Sequence, residues 1–372
     1  MSVTIKIFKY LLGLLLVAVL GAYLWFWAMP VGVNNYINKV SFQLAIDSPE
    51  LITALGIIDN TPLDFHSGKL ASYTLEAEKE SLATFRSARA GLDNYGPEGL
   101  EGQELLSWQI AAWFFDDLIR SSEHPYGGYM VNQLSGPMVN LPQFLTDQHQ
   151  IVDDKSLSRY ISRLQEFVRV IGEVKVRVMD AKDNGTVPPD FIIEKTLMGM
   201  RAFSEASGND NALIGTLPAK LEKLDNISPE RKQRLSEQAV AIVDNQIIPQ
   251  YLEMIALFET LLAETNHDAG IWRLPQGEAI YNNALKSNTT TDMSADEVHQ
   301  LGVSEVARIE LEMDEILTGL GMIEGSLFER IQTLMALPEQ NFPNTAEGRA
   351  EQIAYLNPVS YTHLTLPTTE RV

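Results

Sequence analysis

Hydrophobic positions recur every three or four residues through most of the chain, and this spacing predicts a succession of amphipathic helices. Over Tyr73 to Leu92 the stripe is Leu75, Leu82, Phe85 and Ala88, and Gly91 with the Asn94-Tyr95-Gly96-Pro97 turn ends it. Glu104 to Arg120 is apolar nearly all round, through Trp108, Ala111, Ala112, Phe115, Leu118 and Ile119, and is expected to be buried. Asp154 can cap a long helix with Leu157, Ile161, Leu164, Val168, Ile171 and Val178 on one stripe, stopping at Asn184-Gly185 ahead of Pro188-Pro189. The next helix opens at Asp190 or the proline before it and faces the core with Ile193, Leu197, Met200 and Phe203. Ser228-Pro229-Glu230 supplies an N-cap, a proline at the first helical position and an acid in the first turn. That helix carries Leu235, Ala239 and Ile242, loses a ladder hydrogen bond at Pro249, where a kink is expected, and resumes with Tyr251, Ile255, Phe258 and Leu262. Val40 to Leu55 reads as a short linker and helix. His124 to Gln150, punctuated by Gly127-Gly128, Gly136-Pro137 and Leu141-Pro142, reads as a long irregular connection. No strand-like alternation and no repeat stands out, so the soluble part is predicted to be all-α.

The N-terminus follows a different pattern. From Tyr10 to Asn38 there is no charged residue, and the apolar core of this run, residues 10–29, is long enough to cross a hydrocarbon layer as a helix. Lys6 and Lys9 precede it, so residues 1–9 are expected in the cytoplasm and the rest of the chain outside, as a single-pass inner-membrane protein facing the periplasm. Trp25 and Trp27 fall where an interfacial aromatic belt would sit. A cleaved signal peptide, cut near Gly21 and Ala22, is the competing reading.

Composition narrows the function classes. The net charge of −21 over 372 residues argues against nucleic acid and against a polybasic membrane contact. Cysteine is absent, which rules out disulfides, thiolate nucleophiles, Cys-ligated zinc and a lipidated cysteine, and which fits an oxidising periplasm. Any metal would have to use His, Glu or Asp. Asp116-Asp117 could be an acid pair, but neighbours on a helix point about 100° apart, which favours a solvated edge. His124 and His149 could be ligands or donors to a substrate; without a paired ligand one turn on, each also reads as a plain loop or capping histidine.

One stretch, Gly270 to Ile309, concentrates unusual features. Trp272-Arg273-Leu274-Pro275 and Gly277 predict a turn, Ala279 to Leu285 a short helix, and Asn288 to Asp292 a polar loop. Ser294 and Glu297 form a capping box for a long helix whose buried face should be Val298, Leu301, Ile309, Met313 and Ile316.

The pattern W-x-L-P-x-G-x-x-x-Y from Trp272 to Tyr281, the Thr289-Thr290-Thr291-Asp292 run, and E-x-H-x-L-G-x-x-E-V-x-R-I from Glu297 to Ile309 resemble the bacterial domain-of-unknown-function 885 family. Supporting matches are Leu134-Ser135-Gly136-Pro137 to Leu141-Pro142, Asp147-Gln148-His149, Val187-Pro188-Pro189 to Glu194-Lys195, and Val243 to Tyr251. The resemblance covers about Val40 to Pro358. It implies the helical half of a gluzincin-like zinc metallopeptidase, with residues 30–358 as the truncated family domain. It also implies a zinc-bearing His-Glu-x-x-x-Gly-His-His helix in the C-terminal half of complete members. No histidine here is followed by glutamate, so no metal ligand and no catalytic residue is assigned, and the chain is expected to be inactive as written. His299 and Glu305 lack one-turn spacing. Residues 359–372 depart from the family: the run from Val359 to Thr368 resembles the in-frame translation of a sequencing-library adapter, which makes the chain read as an N-terminal fragment. A genuine C-terminal extension is the alternative. The expected substrate contacts are Arg273, as a carboxylate partner, Tyr281, as an oxyanion donor or ring contact, and Thr289, Thr290 and Thr291, as hydroxyl donors. Each also has a purely structural reading. The partners implied are the lipid bilayer through residues 10–29 and, for the complete parent, zinc and a peptide substrate. The other function class open to the sequence is a non-catalytic, anchored helical module that binds peptides or a partner subunit.

Overall fold

The computed structural model describes residues 30–365, with side chains to residue 358, and five isolated positions between 13 and 23. Most of the expected membrane span at 10–29, and the departing tail beyond residue 365, therefore lie outside the described residues. Among the described residues every regular element is helical, and no helix is long and apolar enough to cross a membrane. The contacts divide the chain into two units, residues 1–290 and 291–372.

In the first unit, helices α1 (Val33–Ile46), α2 (Pro49–Leu55), α3 (Leu75–Leu92) and α4 (Gly102–Ser122) come first. Then follow α5 (Pro137–Asp147), α6 (Asp154–Asp183), α7 (Asp190–Glu205), the short α8 (Ala212–Gly215) and α9 (Leu217–Glu222), α10 (Pro229–Ile242), α11 (Ile248–Glu264) and α12 (Gly277–Thr289). The larger core gathers around α6, on which α5, α10 and α11 pack, while α7 lies along α11. On α6 the predicted stripe is joined by a second one, Tyr160, Phe167, Val170 and Val174, so this helix is enclosed on much of its circumference. Each fully buried Leu, Ile or Phe there contributes about 1.5–3 kcal/mol. The cap sits one residue earlier than predicted: Asp153 accepts from the Ser156 amide, while Asp154 pairs with Arg231 at 2.7 Å.

A smaller core joins α1, α3 and α4 through Val33, Tyr36, Ala88, Leu92, Ala112 and Phe115. Of the stripe predicted for α3, only Ala88 is fully buried. Helix α4 is not enclosed: Leu106, Ile110 and Phe114 are exposed, because this core covers only one of its faces. Its adjacent aspartates are ion-paired, Asp116 with Arg89 at 2.9 Å and Asp117 with Arg120 at 3.1 Å.

Two proline signals show how the chain accommodates a missing N–H, and the first overturns a sequence reading. The supposed irregular connection from 124 to 150 contains α5, started by Gly136 at φ 104° and Pro137 at the first position. Pro142 lies inside α5 and has no N–H for the carbonyl of Met138 one turn back; the buried Tyr251 hydroxyl donates to that carbonyl instead, at 2.8 Å. At Pro249 the lost ladder bond is absorbed by a π turn, Val243–Ile247, between α10 and α11. Helices α8 and α9 were not foreseen.

The second unit holds α13 (Ala295–Gly319), α14 (Leu327–Met335) and α15 (Ala346–Thr365). The Ser294–Glu297 capping box forms as read. The predicted buried face does not: Leu301, Ile309 and Ile316 are exposed, and on α13 only Leu317 is buried. Capping is a local signal that suffices to start a helix, whereas burial needs an opposing surface, and among the described residues α13 has little of one.

Candidate functional site: a groove over a buried guanidinium

Polar side chains on α6 stitch the chain segment 64–78 along the helix. Arg159 bonds Asp64, Arg163 Nε donates to the Lys69 carbonyl at 3.1 Å, and Arg169 Nη2 donates to the Leu70 carbonyl at 2.9 Å. Glu173 accepts from the Tyr73 amide at 2.8 Å, and Arg177 Nη2 pairs with Glu78 at 2.6 Å. Both partners advance in the same direction, so the segment runs parallel to α6.

The upper part of this seam is closed. Arg163 is fully buried and meets neutral acceptors: the Lys69 carbonyl, Thr53 Oγ1 at 2.7 Å and His149 Nδ1 at 2.9 Å. Burial pushes its guanidinium down to about 10. His149 Nε2 donates to the Ser156 carbonyl at 3.0 Å, which leaves Nδ1 as the acceptor for Arg163. Burial first, and then the adjacent guanidinium, lower its pKa to about 3. His66, also buried, sits 2.6 Å from Asp59 and 3.3 Å from Asp64.

The lower end is open. Beside Arg177 lies a groove of about 370 Å³ whose lining includes Ser72, Thr74, Glu78, Ser81, Tyr129 and Met130. Three elements build it: the capped first turn of α3, the loop 124–131 and the last turns of α6. Glu78 is half-buried, and burial raises its carboxyl above the usual range while Arg177 draws it back. The Arg177 guanidinium lies 5.8 Å from the ring centroid of Tyr126, whose hydroxyl donates to Asp180 at 2.8 Å. A second hollow of about 340 Å³ adjoins the same loop, where His124 Nδ1 meets Gln276 Oε1 at 2.8 Å.

The focal stretch touches this region at one point. Arg273 stands in a 3-10 turn (Ile271–Arg273), donating from Nη1 to the Asp268 carbonyl at 2.8 Å, with its guanidinium beside the Tyr129 hydroxyl. Gly277 is required by the fold of that turn, because a Cβ there would collide with the carbonyl of Ile271. Tyr281 is exposed on α12, and Thr289 ends that helix with its hydroxyl donating to Leu285 at 2.8 Å. Thr290 and Thr291 are exposed, and the division between the two units falls between them. None of Tyr281, Thr289, Thr290 and Thr291 lines the Arg177 groove, so the structure does not gather the five predicted contact residues into one pocket.

Arg177, Glu78 and Tyr129 were missed by the sequence reading. One signal for Arg177 was present: Ser156, Arg163, Val170 and Arg177 share a seven-residue spacing on the buried side of α6. Polar residues on a core line imply polar partners.

The described residues do not fit a zinc ion. The ring nitrogens of His149 are both engaged, His66 faces its two carboxylates at hydrogen-bond and ion-pair distances, and no group of three or more His, Asp or Glu could hold a metal.

The profile of a bacterial protein family of unknown function, DUF885, matches residues 49–359. No curated protein matches the chain. Among solved structures, a candidate lipoprotein from Colwellia psychrerythraea superposes with a TM-score of 0.73 at 21% identity, covering 90% of this chain and 59% of its own. A candidate lipoprotein of unknown function from Shewanella oneidensis gives 0.58 at 14% identity, covering 90% of this chain and 57% of its own. The chain thus spans less than two thirds of the length of these solved relatives, and the likeness establishes a shared helical fold.

Proposed function

The chain belongs to the DUF885 family, and from that premise we propose that it is the N-terminal helical part of a membrane-anchored envelope protein whose complete form is a zinc-dependent peptidase. The observation that carries the reading is extent: 90% of this chain aligns with only 59% of the Colwellia protein, so a large part of such a relative has no counterpart here. On this reading the zinc-binding helix belongs to that part, where a bound zinc would activate the attacking water. The residues of this chain serve as scaffold and cleft wall, with Arg273 as a substrate contact.

Residues 10–29 hold the protein in the inner membrane, with the helical units on the periplasmic side. Both solved relatives are described as candidate lipoproteins. This sequence has no cysteine to lipidate, and the apolar segment takes over attachment. The open apolar residues of α13 support a second reading, an anchored module that docks a partner without catalysis.

Resequencing the source DNA across codon 358 and expressing the complete gene separates the two. The peptidase reading expects about one tightly bound zinc per complete chain and peptide hydrolysis lost on chelation, with neither property in the 372-residue chain. A complete product that binds no zinc, or a 372-residue chain that hydrolyses peptides by itself, would overturn it.

A further inference from the structure

Arg177 is only 4% exposed, yet two of its donor groups have no acceptor. Nη2 serves Glu78 at 2.6 Å and the Pro125 carbonyl at 3.2 Å. Nη1 lies 3.9 Å from Asp180 Oδ2, beyond hydrogen-bond reach, and neither Nη1 nor Nε has a partner. A buried donor left unmet costs about 1–3 kcal/mol, and more when the group is charged. A guanidinium is shaped to grip a carboxylate with two parallel N–H groups, but Glu78 takes only one. The groove beside it is within the size range of small-molecule sites, about 300–1,000 Å³. Its lining combines hydroxyls from Ser72, Thr74, Ser81 and Tyr129 with the apolar Met130. The Tyr129 hydroxyl also interacts with a second guanidinium, that of Arg273, which does not itself line the groove.

We propose that this groove is a carboxylate-binding site, taking a small organic acid or the free C-terminus of a peptide, with Arg177 as its anchor and Glu78 as the resident side chain that a ligand displaces. Glu78 is suited to that role. It stands on the first turn of α3, is half-buried, and engages one prong of the fork, so release into water relieves its desolvation while an incoming carboxylate completes the bidentate pair. The protein's overall charge of −21 repels anions at long range, so the site must select them through the local geometry of Arg177. The inference concerns binding by the first unit alone and stands or falls independently of hydrolysis by the complete parent.

Calorimetric titration of the detergent-purified 372-residue chain tests it, with acetyl-Ala-Ala, its C-terminal amide and succinate as probes. The acid is expected to bind at least about tenfold more tightly than the amide, a difference of about 1.4 kcal/mol. Glu78→Gln, which removes the resident carboxylate, should tighten acid binding several-fold, and Arg177→Lys should weaken it about tenfold or more. Stronger binding of succinate than of the peptide acid assigns the site to free organic acids, and the reverse assigns it to peptide ends; both outcomes support a carboxylate site. Equal binding of acid and amide, or none by either, means that ordered water satisfies the guanidinium, and the proposal fails. Should Arg177→Lys not fold by circular dichroism, Glu78→Gln decides alone: lower stability without tighter acid binding makes the pair purely structural and overturns the assignment.

Discussion

His149 is held neutral from both sides: one ring nitrogen keeps its proton and donates it in a hydrogen bond to the Ser156 carbonyl, and the other must accept from Arg163. A second proton would point at a guanidinium inside the core. Its pKa is accordingly lowered to about 3, and that of His66 is lowered too, chiefly by burial. The sign of the linkage follows. Above about pH 6.5 neither folded nor unfolded His149 is protonated and its neutral packing is free of penalty. As pH falls toward 3, the unfolded chain binds a proton that the folded chain refuses, so stability falls by up to about 1.4 kcal/mol per pH unit. Urea unfolding between pH 7 and pH 5 should show this slope. His149→Gln preserves a donor for Ser156 and an acceptor for Arg163 and should reduce the slope by about 1 kcal/mol per unit. A variant with an undiminished slope would place the titration elsewhere.

At the scale of the elements, the prolines are informative because each forces a specific repair. Pro142 deprives the Met138 carbonyl of its ladder partner, and the Tyr251 hydroxyl on α11 replaces it from across the core. Tyr251→Phe should therefore cost about 1–3 kcal/mol, the usual penalty for an orphaned buried acceptor. In a Pro142→Ala background, where the backbone N–H returns, most of that cost should vanish; a double-mutant cycle by denaturant unfolding measures the coupling. Additive effects would mean that the Tyr251 hydroxyl does not stand in for the bond lost at Pro142. Helix starts were legible here because caps and first-turn prolines act within four residues: Ser228 and Ser294 both accept the predicted amide bonds. Helix α5 was hidden because Gly136-Pro137 and Leu141-Pro142 look like loop punctuation until a side chain 113 residues away repairs the second. Likewise the apolar circumference of α4 overstated its burial, since composition records what a helix could bury and not what stands opposite.

For the molecule as a whole, the two units differ in how they are held. Helix α6 contributes twelve buried residues to a continuous core. Helix α13 has one buried residue and leaves Leu301, Val303, Val306, Ile309, Leu311 and Ile316 exposed. Hydrogen exchange of the purified chain should thus show the amides of α13 to α15 exchanging orders of magnitude faster than those of α6 and α11. Equal protection would mean that these apolar side chains are covered in solution. The same contrast explains what was readable of the site. Arg273 stood out because its motif is contiguous, and its guanidinium lies beside the hydroxyl of Tyr129, a residue that lines the groove. Arg177 and Glu78 could not be paired from the sequence, because they are 99 residues apart and neither lies in a motif.

That separation recurs along the whole seam between α6 and the segment before α3. The bonds from Arg159, Arg163, Arg169, Glu173 and Arg177 join residues 94 to 101 positions apart, a nearly constant offset. For a chain that emerges N-terminus first, segment 64–78 has no fixed place until residues through 177 have followed it. At about 5–20 residues per second, the wait is on the order of 5–20 s. During that interval the leading part is long, acidic and without its permanent partners, which makes the arrival of α6 the event that sets the N-terminal architecture.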